Sequence, residues 1–189
     1  MKIGLYFGSF NPVHTGHLII AKHVLNSTDL KQVWCIVSPQ NPLKKSATLL
    51  NEYHRLHLLQ SAIDGENDLK ASNIEFHLPK PSYTIDTLTH LKEKYPAHEF
   101  AVIMGSDSYC NIHKWKNHTV LLRDYELFIY KRPGFEITGK TPGNIQVLDA
   151  PLLEISSTHI RELIKNGKSI RYLVPDSVKE EIERNHYYR

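Results

Sequence analysis

Short apolar runs alternate along this chain with stretches in which apolar residues recur every three or four positions. The first run, Ile3-Gly4-Leu5-Tyr6-Phe7, predicts a buried strand over 2–7, and Leu18-Ile19-Ile20 with Val24-Leu25 predicts a helix over about 16–26. The alternation continues with a strand at 32–38, a helix at about 49–63 carrying Leu56, Leu58, Leu59 and Ile63, a strand near 70–76 and a helix near 84–94. Next come the apolar strand Phe100-Ala101-Val102-Ile103-Met104, a short helical stretch through 115–122 and a strand at 126–130. Such alternation implies an α/β architecture with a doubly wound parallel sheet and right-handed crossovers. Residues 132–151 are turn-rich, hold one further short strand at 145–148, and read as a connection within one domain. Two C-terminal helices are expected, about 157–166 ended by Asn166-Gly167, and about 176–185 with Asp176 as N-cap.

A length of 189 residues suits a single domain spanning 1–189. The 23 basic and 20 acidic residues are interspersed, with a net charge of +3, so no basic stripe marks a nucleic-acid partner, while small anionic ligands stay compatible. Cys35 lies in an apolar run and Cys110 in a polar one, with neither disulfide nor metal spacing. Neither a signal segment nor a membrane-length apolar run is present, so a soluble, cytoplasmic protein is expected. A homo-oligomer is compatible with this sequence, which does not specify one.

Candidate chemistry gathers where strands end. Gly8-Ser9-Phe10-Asn11-Pro12-Val13-His14-Thr15-Gly16-His17 joins the first strand to the first helix, and His14 and His17, three apart, share a face at a helix start that favours anions. In a chain with 12 histidines, a surface turn that happens to hold two is an equal competitor. The polar stretch Ser38 to Lys45 follows the second strand, and Gly105-Ser106-Asp107 follows the strand at 100–104. Ligands of doubly wound sheets bind beyond these carboxyl ends. Late in the chain, Ile155-Ser156-Ser157-Thr158-His159-Ile160-Arg161 sets hydroxyls at a helix start and an Arg one turn on, a combination that suits phosphate but also an ordinary N-cap with a surface Arg.

His14-Thr15-Gly16-His17 and Ser156-Ser157-Thr158-His159-Ile160-Arg161 resemble the HxGH and SSTxIR motifs of the nucleotidylyltransferases built on a Rossmann-like, dinucleotide-binding fold. Pro81-Ser82-Tyr83-Thr84-Ile85-Asp86-Thr87-Leu88, Gly105-Ser106-Asp107 followed by Trp115, Arg132-Pro133-Gly134 and Tyr172-Leu173-Val174-Pro175 make the chain most similar to the bacterial nicotinate-mononucleotide adenylyltransferases. The likeness runs from residue 3 nearly to the end. It departs at Phe7, at Asn11 where relatives carry Asp, at Leu43 where relatives often have His, and at Asn185-His186-Tyr187.

The resemblance implies transfer of the adenylyl group of ATP to nicotinate mononucleotide, with Mg²⁺ carried on ATP and no dedicated metal site in the protein. The attacking phosphate, whose second pKa is about 6, needs no general base near neutral pH. What the protein must supply is positioning and charge neutralisation. His14, His17, Lys44 and Arg161 are expected to provide them. Gly8, Ser9, Phe10, Gly105, Asp107, Ile155, Ser156, Ser157 and Thr158 are expected around ATP, with Asp107 equally readable as a plain turn residue. Around the mononucleotide the expectation is Tyr83, Thr84, Trp115 stacked on the pyridine ring, and Arg132. Core packing for Trp115 and a surface charge for Arg132 compete with those roles. Another acceptor, such as phosphopantetheine or nicotinamide mononucleotide, and a catalytically silent nucleotide sensor are the alternatives.

Overall fold

Six parallel strands pair in the order β3-β2-β1-β4-β5-β6 in a computed structural model that describes residues 1–40, 48–139, 141–151 and 154–189. The strands are β1 (Lys2–Gly8), β2 (Gln32–Val37), β3 (Leu69–Ser72), β4 (Glu99–Gly105), β5 (Leu127–Tyr130) and β6 (Ile145–Leu148). The helices are α1 (Thr15–Ser27), α2 (Glu52–Ala62), α3 (Thr84–Lys94), α4 (Ser106–Cys110), α5 (His118–Asp124), α6 (Ser157–Lys165) and α7 (Asp176–Arg184). This is the doubly wound order expected from the sequence, and its reversal point lies between β1 and β4. No helix among the described residues is long and apolar enough to cross a membrane.

Alternate strand residues serve opposite faces of the sheet. Val33, Cys35, Val37, Ala101, Ile103 and Phe128 pack with α1, α2, α6 and α7 through Ala21, Val24, Leu58, Leu59, Ile160, Val178 and Ile182. Trp34, Ile36, Val102, Met104, Leu127 and Ile129 pack with α3 and α5 through Leu88, Leu91 and Leu121. With both faces covered, the four inner strands β1, β2, β4 and β5 carry near-continuous apolar runs, which makes them legible in the sequence, while the edge strands β3 and β6 are shorter and partly exposed.

The differences from the sequence reading have local causes. The strand expected near 70–76 stops at Ser72, whose hydroxyl accepts from the Ile74 N–H at 3.4 Å, and Ile74–His77 forms a 3₁₀ turn. The helical stretch expected at 115–122 is a 3₁₀ turn, Ile112–Lys114, then α5, entered through Asn117 in the left-handed region at φ 50°. Trp115 therefore sits on a connector. The five-residue α4 is too short to show periodicity and was not foreseen. Pro175, not Asp176, takes the N-cap position of α7, and Asp176 is its first helical residue, where a carboxylate still suits the helix dipole.

One charged side chain is completely buried. Arg55 of α2 donates from Nε to Leu50 O at 2.7 Å, from Nη1 to Ser9 O and to Ser38 O at 2.9 Å, and from Nη2 to Pro39 O at 3.1 Å. The guanidinium thus binds the loops that leave β1 and β2, and burial holds its pKa below the usual value. Replacing Arg55 by Leu strands four carbonyls, and the expected outcome is a loss of roughly 3 kcal/mol or more of unfolding free energy, read by urea denaturation. Arg55→Lys should recover little of it, because an ammonium cannot reproduce the planar fork of donors.

Candidate functional site

Four segments converge at the carboxyl ends of β1 and β4: residues 8–17, the start of α6, the pair Asp107 and Arg132, and the segment around Leu173. The first begins with a close approach. A Cβ at Gly8 would lie 3.0 Å from the Phe10 ring, which is only 2% exposed and packs edge-on against Tyr6 and His17, with centroids at 5.9 and 5.0 Å. Phe10 adopts φ 46° to turn that ring inward, so the side chain expected beside ATP supports His17 from beneath and leaves only its backbone for a ligand. Asn11 donates from Nδ2 to Thr48 O and accepts at Oδ1 from the Leu50 N–H, both at 3.1 Å. A carboxylate could not make the first bond, which gives a structural reason for Asn at this position.

His14 and His17 stack with ring centroids 3.7 Å apart and planes inclined by 26°. The backbone N–H of His14 donates to His17 Nδ1 at 3.2 Å, so the neutral His17 carries its proton on Nε2. A Cβ on Gly16 would approach His14 Nδ1 to 3.1 Å, which is why a glycine separates the two imidazoles. Burial, aided by the Arg132 charge, pushes the His14 pKa down to about 4. Burial does the same to His17, with the neighbouring His14 and Arg132 adding to it. Both rings are neutral near pH 7 and act as N–H donors without charge.

The sequence reading expected free backbone N–H groups at the start of α1, and the structure largely commits them. The Thr15 N–H donates to Leu173 O at 2.9 Å, its hydroxyl to Tyr172 O at 3.3 Å, and the His17 N–H to His14 O at 2.9 Å. Imidazole edges, rather than the helix terminus, are what this segment offers an anion.

The start of α6 docks directly on the β1–α1 loop. Arg161 donates from Nη1 to Asn11 O at 2.7 Å and from Nη2 to Thr158 Oγ1 at 3.2 Å, and Ser157 Oγ donates to Pro12 O at 2.9 Å. The two long-range bonds span separations of 150 and 145 residues. Ser156 caps its own helix, accepting from the His159 N–H at 3.2 Å, and Ile155 borders Gly16. The Ser156 and Ser157 hydroxyls and the His159 N–H are thus engaged within the protein, leaving the Thr158 hydroxyl proton, the remaining Arg161 N–H donors and the Ser157 and Thr158 N–H groups for a ligand.

Asp107 and Arg132 lie together, Oδ1 to Nε 3.5 Å, over Gly105, where a Cβ would come within 2.3 Å of the carboxylate. The buried Ser106 hydroxyl accepts from the Arg132 N–H at 2.8 Å, and Arg132 Nη2 donates to Tyr130 OH at 3.3 Å, which in turn pairs with Tyr6 OH. The structure therefore groups Arg132 with Asp107 and the histidines. It had been expected with Tyr83, Thr84 and Trp115. Near Tyr83, Lys116 Nζ binds both Asp86 oxygens at 2.8 and 2.9 Å and lies 5.0 Å from the Tyr83 ring centroid, and Trp115 is the residue before it in the chain. Tyr83 is the N-cap of α3 and Thr84 its first residue, while Trp115 is partly buried against the apolar cluster beneath. Lys44 and Leu43 lie outside the described residues. Among the described residues, no group of three or more His, Cys, Asp or Glu is arranged to hold a metal ion.

The sequence reading missed Arg55, Glu75 and the Tyr6–Tyr130 pair. A lone Arg amid Leu56, Leu58 and Leu59, and an acid between Ile74 and Phe76, were signals of buried charge. Among the other histidines, His54 Nδ1 lies 2.9 Å from Tyr187 OH and His57 faces Glu181 at 3.7 Å, away from the site described above.

The depressed His14 pKa has a signed consequence. Below about 6.5 the unfolded chain takes up a proton that folded His14 refuses until about pH 4, so stability falls as pH falls through that window. His14→Asn should flatten the decline by an amount on the order of 2–3 kcal/mol, measured as the difference in unfolding free energy between wild type and variant at pH 7 and pH 4.5.

Comparison with known proteins agrees with this geometry. The family model described as cytidylyltransferase-like matches residues 5–163. A protein of Flavobacterium johnsoniae described as a probable nicotinate-nucleotide adenylyltransferase is 50% identical over the whole of both chains. One of Cytophaga hutchinsonii with the same description is 50% identical over all of this chain and 98% of its own. Among solved structures, the Plasmodium falciparum nicotinic acid mononucleotide adenylyltransferase complexed with NaAD superposes with a TM-score of 0.84 at 22% identity, covering 99% of this chain and 97% of that one, which establishes the shared fold. With paired histidines at the sheet's reversal point and likeness over its full length, the chain belongs to the cytidylyltransferase-like family and, within it, to the nicotinate-nucleotide adenylyltransferases.

Proposed function

We propose that the chain, with residues 1–189 acting as one domain, transfers the adenylyl group of ATP to nicotinate mononucleotide, forming nicotinate adenine dinucleotide and releasing pyrophosphate for NAD biosynthesis. The observation that carries this reading is the hydrogen-bonded meeting of two distant motifs, Arg161 on Asn11 O and Ser157 on Pro12 O, beside the stacked His14 and His17. A phosphate oxygen of the mononucleotide attacks the α-phosphorus of ATP. A new P–O bond forms as the bond from the α-phosphorus to the bridging oxygen of pyrophosphate breaks, and no proton need move. The supporting electrostatics follow from the protonation states: two neutral imidazole N–H donors and the Arg161 cation meet charge that spreads over the phosphates.

Gly8, Ser9 and the Phe10 backbone on one side, and Ile155 through Thr158 on the other, bracket the adenosine and phosphates in this reading, with Gly105 and Asp107 at the ribose and Lys44 toward the phosphates. Asp107 is already paired with Arg132, so the Mg²⁺ that neutralises the triphosphate comes with the substrate, held by ATP oxygens and water. The N–H groups at the start of α3, beside Tyr83 and Thr84, suit the nicotinate carboxylate, and Trp115 stacks on the pyridine ring. In this reading Arg132, which lies beside Asp107, meets phosphate from the mononucleotide.

Pyrophosphate release from ATP, measured in parallel with nicotinate mononucleotide, nicotinamide mononucleotide and phosphopantetheine, should be fastest with the first, and preference for phosphopantetheine overturns the reading. His17→Ala should lower kcat by roughly 10²-fold or more while calorimetry still detects ATP binding. Trp115→Ala should raise KM for the mononucleotide more than KM for ATP, and equal shifts would return Trp115 to a packing role.

A further inference from the structure

A second buried charge has no place in the chemistry so far. Glu75, on the 3₁₀ turn after β3, is 2% exposed and has no cationic partner in the hydrogen bonds and ion pairs of the described residues. Its Oε2 accepts from Ser82 Oγ at 2.9 Å and its Oε1 from Thr87 Oγ1 at 2.8 Å. Burial pushes the carboxyl pKa up, and the hydroxyl donors oppose that shift. Desolvating a carboxylate is costly, so its presence here calls for an explanation in what it holds.

Its partners supply one. Ser82 precedes the N-cap Tyr83 and Thr87 lies one turn into α3, so the two carboxylate oxygens grip the chain on both sides of Tyr83 and Thr84. Thr87 Oγ1 also lies 3.3 Å from Tyr83 O, which ties the N-cap carbonyl into the same cluster. The Ser82 hydroxyl would otherwise be free to turn toward the backbone donors that open the helix. No side chain caps α3, so its first N–H groups keep their capacity for an external anion.

We propose that Glu75 is a positioning residue for the acceptor subsite: by holding the hydroxyls of Ser82 and Thr87 it aims the opening N–H groups of α3 at a carboxylate on the incoming mononucleotide. The assignment rests on the functional reading above.

Steady-state kinetics with both substrates varied test it. Glu75→Ala should raise KM for nicotinate mononucleotide roughly ten-fold, with KM for ATP changed by no more than about two-fold. Glu75→Gln should restore part of the loss, since its amide oxygen accepts from one hydroxyl and its NH₂ donates to the other. The Ser82→Ala, Thr87→Val double variant, which keeps Glu75, should reproduce the selective rise and serves if Glu75→Ala fails to fold. Equal rises in both KM values, or a lower melting temperature with both KM values unchanged, would overturn the proposal. Wild-type turnover with nicotinate mononucleotide is measured first in the same assay, and its absence would overturn the functional reading instead.

Discussion

The site depends on a cation that no ligand need touch. Arg55 gives its guanidinium to four backbone carbonyls, and those carbonyls belong to the loops that leave β1 and β2 and to the segment entering α2. Loops lack the repeating hydrogen bonds of strands and helices, so their carbonyls need another partner when they fold inward. Here one side chain satisfies several at once. Asn11 reinforces the arrangement from the other side, bonding Thr48 and Leu50 while its own carbonyl receives Arg161. The segment bearing His14 and His17 is therefore braced from α2 and from α6.

Buried charge and buried neutrality are distributed unevenly through this architecture. Arg55 and Glu75, of opposite sign, are both buried, and among the described residues neither has a counter-ion in hydrogen-bond or ion-pair contact; each is held there by neutral dipoles. The histidines, which could carry charge, are held neutral by burial and by the nearby Arg132 cation, with His14 adding to the effect on His17. The physical economy is that permanent charge does the bracing, while the groups facing phosphate donate hydrogen bonds without paying to desolvate a second cation. Arg161, fixed by its bond to Asn11, is the exception that supplies full positive charge at that edge.

Much of this was legible from the chain. All six strands could be found, the inner ones as apolar runs buried on both faces, and HxGH and SSTxIR marked the two ends of the site. What escaped is of two kinds. Boundaries set by a single side chain, such as the Ser72 hydroxyl that ends β3 or the left-handed Asn117 that delays α5, leave no periodic trace. Surroundings set by tertiary partners are equally silent: nothing along the chain announces that the Phe10 ring packs on His17 or that Arg132 lies against Asp107. The Ser157 hydroxyl, expected at phosphate, serves the protein's own loop.

The bonds that complete the histidine segment reach far along the chain: Thr15 to Tyr172 spans 157 residues, and Arg161 to Asn11 spans 150. On a ribosome, β1 and its loop emerge well before these hydrogen-bonding partners, which lie about 150 residues further along the chain. Contacts of such high separation form late and slow folding. The imidazole pair therefore stays incomplete, and the nascent chain gains its binding geometry only when the segment around Leu173 has cleared the exit tunnel.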